Sequence, residues 1–207
     1  MIIVGLTGGV ASGKTTVSKI FQEEGAYIIE ADQIARELVQ LRSPTWDELV
    51  RAFGNEILEK NGSIHRKRLA EKVFSDPEQR RILNQILHPR IKEVMSQRVK
   101  EIAERTPEAI IVFDAPLLIE LGEHREMDQV VVVTCQENQQ IERLRERMGM
   151  TEEEARKVIS SQTPLEDKVK LADFIIRNEG SIEETRRRAK DVFQELKRIA
   201  LLKNKKS

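Results

Sequence analysis

Gly8-Gly9-Val10-Ala11-Ser12-Gly13-Lys14-Thr15 has two glycines five apart, followed by a lysine and a hydroxyl residue. That is the spacing of a phosphate-binding loop. Glycines let a backbone turn its N–H groups toward phosphate oxygens and approach them closely. A helix starting directly after the loop presents its N-terminus to the same anion. Lys14 is then placed for the β- and γ-phosphates and the Thr15 hydroxyl for Mg²⁺, in a cradle running from Gly8 to Thr16. The bland alternative is a Gly-rich turn that matches by chance. A strand before the loop and a helix after it are the context the chemistry requires, and both are legible here.

Such a loop leaves open whether phosphate is transferred, hydrolysed or used as a switch, and three further features bear on this. Asp32 stands just past a second short strand, where a carboxylate could take the proton of a substrate hydroxyl. It could equally be the N-cap of a helix beginning near Gln33. Asp114 ends an apolar run and precedes Ala115-Pro116-Leu117-Leu118, a position suited to ordering Mg²⁺ or its waters. Arg143 and Arg147 lie four apart on one helix face, ahead of Gly149. They could clamp phosphates on a closing lid at 143–164, or pair along the helix with Glu142 and Glu146.

The elements that must position these groups follow from periodicity. Ile2 to Leu6 reads as a buried strand, Lys14 to about Glu24 as a helix ended by Gly25, and Tyr27 to Ile29 as a strand. From Gln33 to about Arg105 only helical spacing remains. It includes Leu69, Val73 and Phe74, with starts at Ser43-Pro44 and Asp76-Pro77. The spacing around Ile82 to Ile86 and Ile91 to Ile102 leaves His88-Pro89 as a helix start. Strands return at Ala109–Phe113, Val130–Val133 and Phe174–Ile176, separated by helices that Thr151 with Glu154 and Ser181 with Glu184 would cap. The expected architecture is α/β: a P-loop-type parallel sheet flanked by helices, with a helical insertion and a helical lid. Residues 1–30 and 109–207 form the core, and 31–108 the insertion.

Composition narrows the partners. The chain has 207 residues with 35 Lys+Arg and 35 Asp+Glu, a balance that excludes binding nucleic acid through bulk positive charge. The single Cys135 excludes an internal disulfide and reads as a small buried hydrophobe. Absence of a long apolar run or signal-peptide pattern gives a cytoplasmic expectation without membrane contact. Oligomeric state is left open, with a monomer as the default. The Lys203-Asn204-Lys205-Lys206 tail is expected to fray.

Several segments occur together in order: Thr7 to Thr15, Glu30-Ala31-Asp32 with Ile34-Ala35-Arg36, His88-Pro89-Arg90, and Asp114-Ala115-Pro116-Leu117-Leu118 with Glu120. Arg143, Arg147 and Gly149, then Gln162, Ala172-Asp173 and Asn178-Glu179-Gly180, continue the series over nearly the whole chain. In these the sequence resembles the dephospho-CoA kinase family. The resemblance implies ATP-dependent phosphorylation of the ribose 3′-hydroxyl of dephospho-CoA, the last step of coenzyme A synthesis, with ATP and Mg²⁺. It implies Asp32 as base, with Lys14, Arg143 and Arg147 on the transferred charge. It also makes Asp32, Arg36, His88, Arg90, Asp114 and Leu117 candidate contacts to the acceptor. Three departures stand out. Ala11 replaces a usual loop glycine and so asks for ordinary backbone conformation there. Glu30 replaces the first Asp of an Asp-Ala-Asp segment, and Met148 replaces an acidic residue. A kinase of nucleoside monophosphates or of another small alcohol is the near alternative. A nucleotide switch would need a guanine-reading Asn-Lys-x-Asp, and Asn204-Lys205-Lys206-Ser207 lacks the Asp.

Overall fold

A computed structural model describes residues 1–204, apart from the side chains of residues 74 and 75. Lys205 and Lys206 of the basic tail and the Phe74 side chain therefore lie outside the described residues. Short apolar runs form β1 (Ile2–Gly8), β2 (Tyr27–Glu30), β3 (Ile110–Asp114), β4 (Gln129–Thr134) and β5 (Phe174–Arg177). They make one sheet in the order β2-β3-β1-β4-β5. The pairs β1–β3, β1–β4 and β4–β5 are parallel. Every residue of β3 is buried, which is why the strand reads as a continuous apolar run rather than an alternating one.

The helices are α1 (Lys14–Glu23), α2 (Ala31–Leu38), α3 (Pro44–Phe53), α4 (Arg66–Ser75), α5 (Pro77–Arg105), α6 (Glu137–Met148), α7 (Glu152–Ser160), α8 (Leu165–Lys170) and α9 (Ile182–Asn204). α1 and α9 pack one core with the strands: Val17, Ile20 and Phe21 meet Ala189, Phe193 and Leu196 beside Val4, Leu6 and Val131. The Phe21 and Phe193 rings lie 5.4 Å apart. The tail begins more ordered than its charge suggests. The amino group of Met1 donates to Asn204 Oδ1 at 2.7 Å, and Lys203 pairs with Asp128, so residues 203 and 204 stay helical.

Two compact units result, Met1–Ile29 with Glu101–Ser207, and Glu30–Lys100. The second has its own core of Leu49, Phe53, Ile57 and Val73, with Ile82, Leu83 and Ile86 packed against it. Its caps are chemical. Ser43 Oγ accepts from the Trp46 N–H with Pro44 at the first helical position, and Asp76 Oδ1 accepts from the N–H groups of Glu78 and Gln79. The expected break at His88-Pro89 is absent. α5 runs on through Pro89, past the unit boundary.

Candidate active site

Strand order creates the site. β1 is central, and the chain leaves it for β2 and β3 on one side and for β4 and β5 on the other. A crevice forms at the carboxyl ends of strands where the winding reverses in this way. The loop after β1 occupies that point. Gly13 has φ +94° and hands the chain to α1, whose first turn is closed by Thr16 N–H on Gly13 O at 2.9 Å. At Gly8 a Cβ would stand 2.5 Å from Val133 O and 2.7 Å from Ser12 Oγ, so only glycine fits between loop and β4. Ala11 corrects an expectation: its φ is +56°, left-handed rather than ordinary backbone. The loop geometry imposes this conformation whatever the residue.

Parallel register sets Leu6 of β1 against Asp114 of β3, which brings Lys14 and Asp114 together as an ion pair. Asp114 is 6% exposed. Thr15 is exposed at the start of α1. Ser12 is 1% exposed and its Oγ has no hydrogen-bond partner, an orphaned polar atom in the loop. Leu117, three residues beyond Asp114, is 45% exposed despite its apolar side chain.

α6 and α7 carry a small core, Ile141, Leu144 and Ala155, on which Val10 and Ala11 of the loop pack. Polar contacts follow the same path. Gln140 Nε2 donates to Val10 O at 2.6 Å, and Gln162 Oε1 accepts the Val10 N–H at 2.9 Å. Arg143 donates to Ala11 O at 3.1 Å and to Asn178 O at 3.0 Å, whereas Arg147 is exposed one turn further along. The two arginines expected to act alike thus differ: loop and strand-end carbonyls engage one, and solvent surrounds the other. Cys135 is buried beside Ala11 O as expected. Burial pushes its thiol pKa up, against a downward pull from Arg143.

In the second unit Asp32 is exposed in the first turn of α2, with Glu30 in the N-cap position, so it does not cap the helix. Arg36 is exposed one turn on. His88 is half-buried within α5 beside an open cavity of about 540 Å³ lined by Arg80, Arg81, Asn84 and Pro89. Arg90 pairs with Glu48 at 2.5 Å and donates to Ile86 O.

The dephospho-CoA kinase family model matches residues 2–184. A dephospho-CoA kinase of Corynebacterium glutamicum is 44% identical over 196 residues, 95% of this chain and all of that one. The solved dephospho-CoA kinase of Campylobacter jejuni is 28% identical with a TM-score of 0.61, covering 93% of this chain and 96% of that one. The crystal structure of TT1252 from Thermus thermophilus reaches a TM-score of 0.81 at 29% identity, over 94% and 97%. The chain belongs to the dephospho-CoA kinase family. It is a kinase of coenzyme A biosynthesis, acting at the final step, and ATP is the family's phosphate donor.

Within this dephospho-CoA kinase fold, several residues that sequence reasoning passed over stand against the loop. Asn178, directly after the last strand, is buried. Its Nδ2 donates to Ser12 O at 2.8 Å, while its Oδ1 accepts from the Thr185 hydroxyl at 2.8 Å. Gln140 looks like any polar helix residue, and only its burial sets it apart. Lys168 sits in the middle of Glu166-Asp167-Lys168-Val169-Lys170, a stretch that reads as solvated charge, yet it is fully buried. Nothing in residue type or spacing signals this. The resemblance did mark Glu120, Gln162 and Asn178, without assigning them a role.

Proposed function

We propose that ATP binds along Gly8–Thr16, with Lys14 on the outer phosphates, and that Asp32 serves as base for the 3′-hydroxyl of dephospho-CoA. The observation that carries the reading is the Lys14–Asp114 pair at the carboxyl ends of neighbouring strands, beside a loop whose geometry admits only glycine at Gly8. Arriving phosphates draw Lys14 away from Asp114 and leave that carboxylate free. The Thr15 hydroxyl and the Asp114 carboxylate are hard oxygen donors. They fit Mg²⁺, which is commonly held through one or two carboxylates together with phosphates and water. Bound there, the ion supplies neutralisation of charge on the β- and γ-phosphates.

In the step itself the 3′-oxygen attacks the γ-phosphorus in line, the bond to the β,γ-bridging oxygen breaks, and ADP leaves. Asp32 takes the hydroxyl proton, and its exposed carboxylate is open to a substrate. Lys14, Arg143 and Arg147 offset charge developing on the transferred group. Arg36, His88, Arg90 and Leu117 recognise the acceptor. The segment 143–164 acts as the lid and excludes water, which suppresses wasteful hydrolysis. The reading assigns a cytoplasmic setting and no nucleic-acid partner, and leaves the oligomeric state open with a monomer as the default. Among the described residues no helix is long and apolar enough to cross a membrane.

Replacing Asp32→Asn tests the base. Steady-state turnover with dephospho-CoA is expected to fall by about 10²- to 10⁴-fold, while ATP affinity stays within about twofold of the parent. Near-normal turnover in this variant refutes the assignment.

A further inference from the structure

Lys168 of α8 is 0% exposed, a rare state for a lysine. Its Nζ lies 2.7 Å from Glu120 Oε1 and donates to the carbonyls of Pro116 at 3.3 Å and Gly8 at 3.5 Å. Gly8 opens the phosphate loop, and Pro116 stands two residues after Asp114. The Thr7 hydroxyl also donates to Pro116 O, at 3.1 Å. Glu120 Oε1 accepts the Thr163 N–H at 3.3 Å, and the neighbouring Gln162 holds the Val10 N–H. One ammonium therefore joins the loop, the segment after Asp114 and the chain at 162–163.

Stability alone is a poor reason for such a lysine. Removing two charges from water costs several kcal/mol per ion, and apolar replacements of similar volume are often neutral or better. Here Glu120 Oε2 is buried with no hydrogen-bond partner, so the pair is not even fully satisfied. The arrangement is geometrically specific instead. A lysine ammonium offers three donors, and this one spends them on a carboxylate and on one carbonyl from each of the two segments.

We propose that Lys168 is a positioning residue for phosphoryl transfer: by holding the carbonyls of Gly8 and Pro116 together, it fixes the spacing of the phosphate loop and Asp114. The inference rests on the reading of Gly8–Thr16 as the nucleotide site. Lys168 touches no substrate in this scheme and acts through the backbone it holds. A displacement of about 1 Å in a reacting constellation is enough to cost on the order of 100-fold in rate.

Steady-state kinetics with ATP and dephospho-CoA, together with thermal unfolding, test this on the full chain. Lys168→Met is expected to lower the unfolding temperature and to cut kcat by at least about tenfold. Lys168→Met/Glu120→Leu, which removes the buried lysine charge together with its part-buried partner, is expected to regain the unfolding temperature but not kcat. Its KM for dephospho-CoA stays within about twofold of the parent. Glu120→Gln leaves the two carbonyl contacts in place and is expected to keep at least about half of kcat. Recovery of kcat in the double variant, or a loss in Glu120→Gln equal to that of Lys168→Met, overturns the proposal, since activity would then follow charge compensation. Where the single lysine variant does not fold, the other two decide. Lys14→Met in the same assay separates the underlying reading: near-normal turnover there sinks the nucleotide loop itself, whatever Lys168 does.

Discussion

Ala11 holds a backbone conformation that its own residue type disfavours. At φ +56° its Cβ crowds the following carbonyl, a cost of about 1–2 kcal/mol for an L-residue. Its methyl group also packs with the α6–α7 core, and glycine would lose that contact along with chain entropy on folding. The opposing effects nearly cancel, so Ala11→Gly is expected to change stability by less than about 0.5 kcal/mol. Ala11→Val adds a branch where left-handed backbone tolerates none, and is expected to lose about 1–3 kcal/mol. Equal denaturation midpoints for the two variants would contradict the conformation. The residue scale is where the sequence was least legible. Lys14 and Thr15 declare themselves by spacing. The conformation of Ala11 is set by the loop around it, and the burial of Lys168 by strands far away in the chain. Neither leaves a local signal.

Elements were more legible, because their ends are set by short-range chemistry. Ser43-Pro44, Asp76-Pro77, Thr151 with Glu154 and Ser181 with Glu184 all begin helices as read, each with its side-chain oxygen on a backbone N–H. The apolar strand runs likewise settle at β1, β3 and β4. Pro89 misled, since a proline with a polar neighbour reads as a boundary, whereas α5 passes through it. Its ring removes the N–H that would meet Gln85 O, and nearby the Arg90 guanidinium supplies a donor to Ile86 O. Interior proline costs a helix about 3 kcal/mol, part of which such relaxation recovers. Pro89→Ala is therefore expected to stabilise the chain by about 1–3 kcal/mol, read as a higher urea midpoint at unchanged m-value. A lower midpoint would show that the proline is needed for the path of α5.

At the scale of the molecule, topology converts distant sequence into chemistry. Placing β1 between β3 and β4 sets the loop beside Asp114 on one side and beside the β4 carbonyls on the other. The sheet order could not be read from strand patterns alone, because any parallel order buries the same apolar runs. The charge balance of 35 against 35 says little about the site, where a few cations matter: Lys14 and Arg143 at the loop, and Lys168 beneath it. The central claim is that these groups transfer phosphate to one particular hydroxyl rather than to water. It is tested most directly by ATP consumption measured with dephospho-CoA, with AMP, with CMP and with no acceptor. The account predicts turnover with dephospho-CoA alone, one phosphate appearing on the ribose 3′-oxygen per ATP consumed. Hydrolysis that proceeds without an acceptor, or turnover only with a monophosphate, would contradict it.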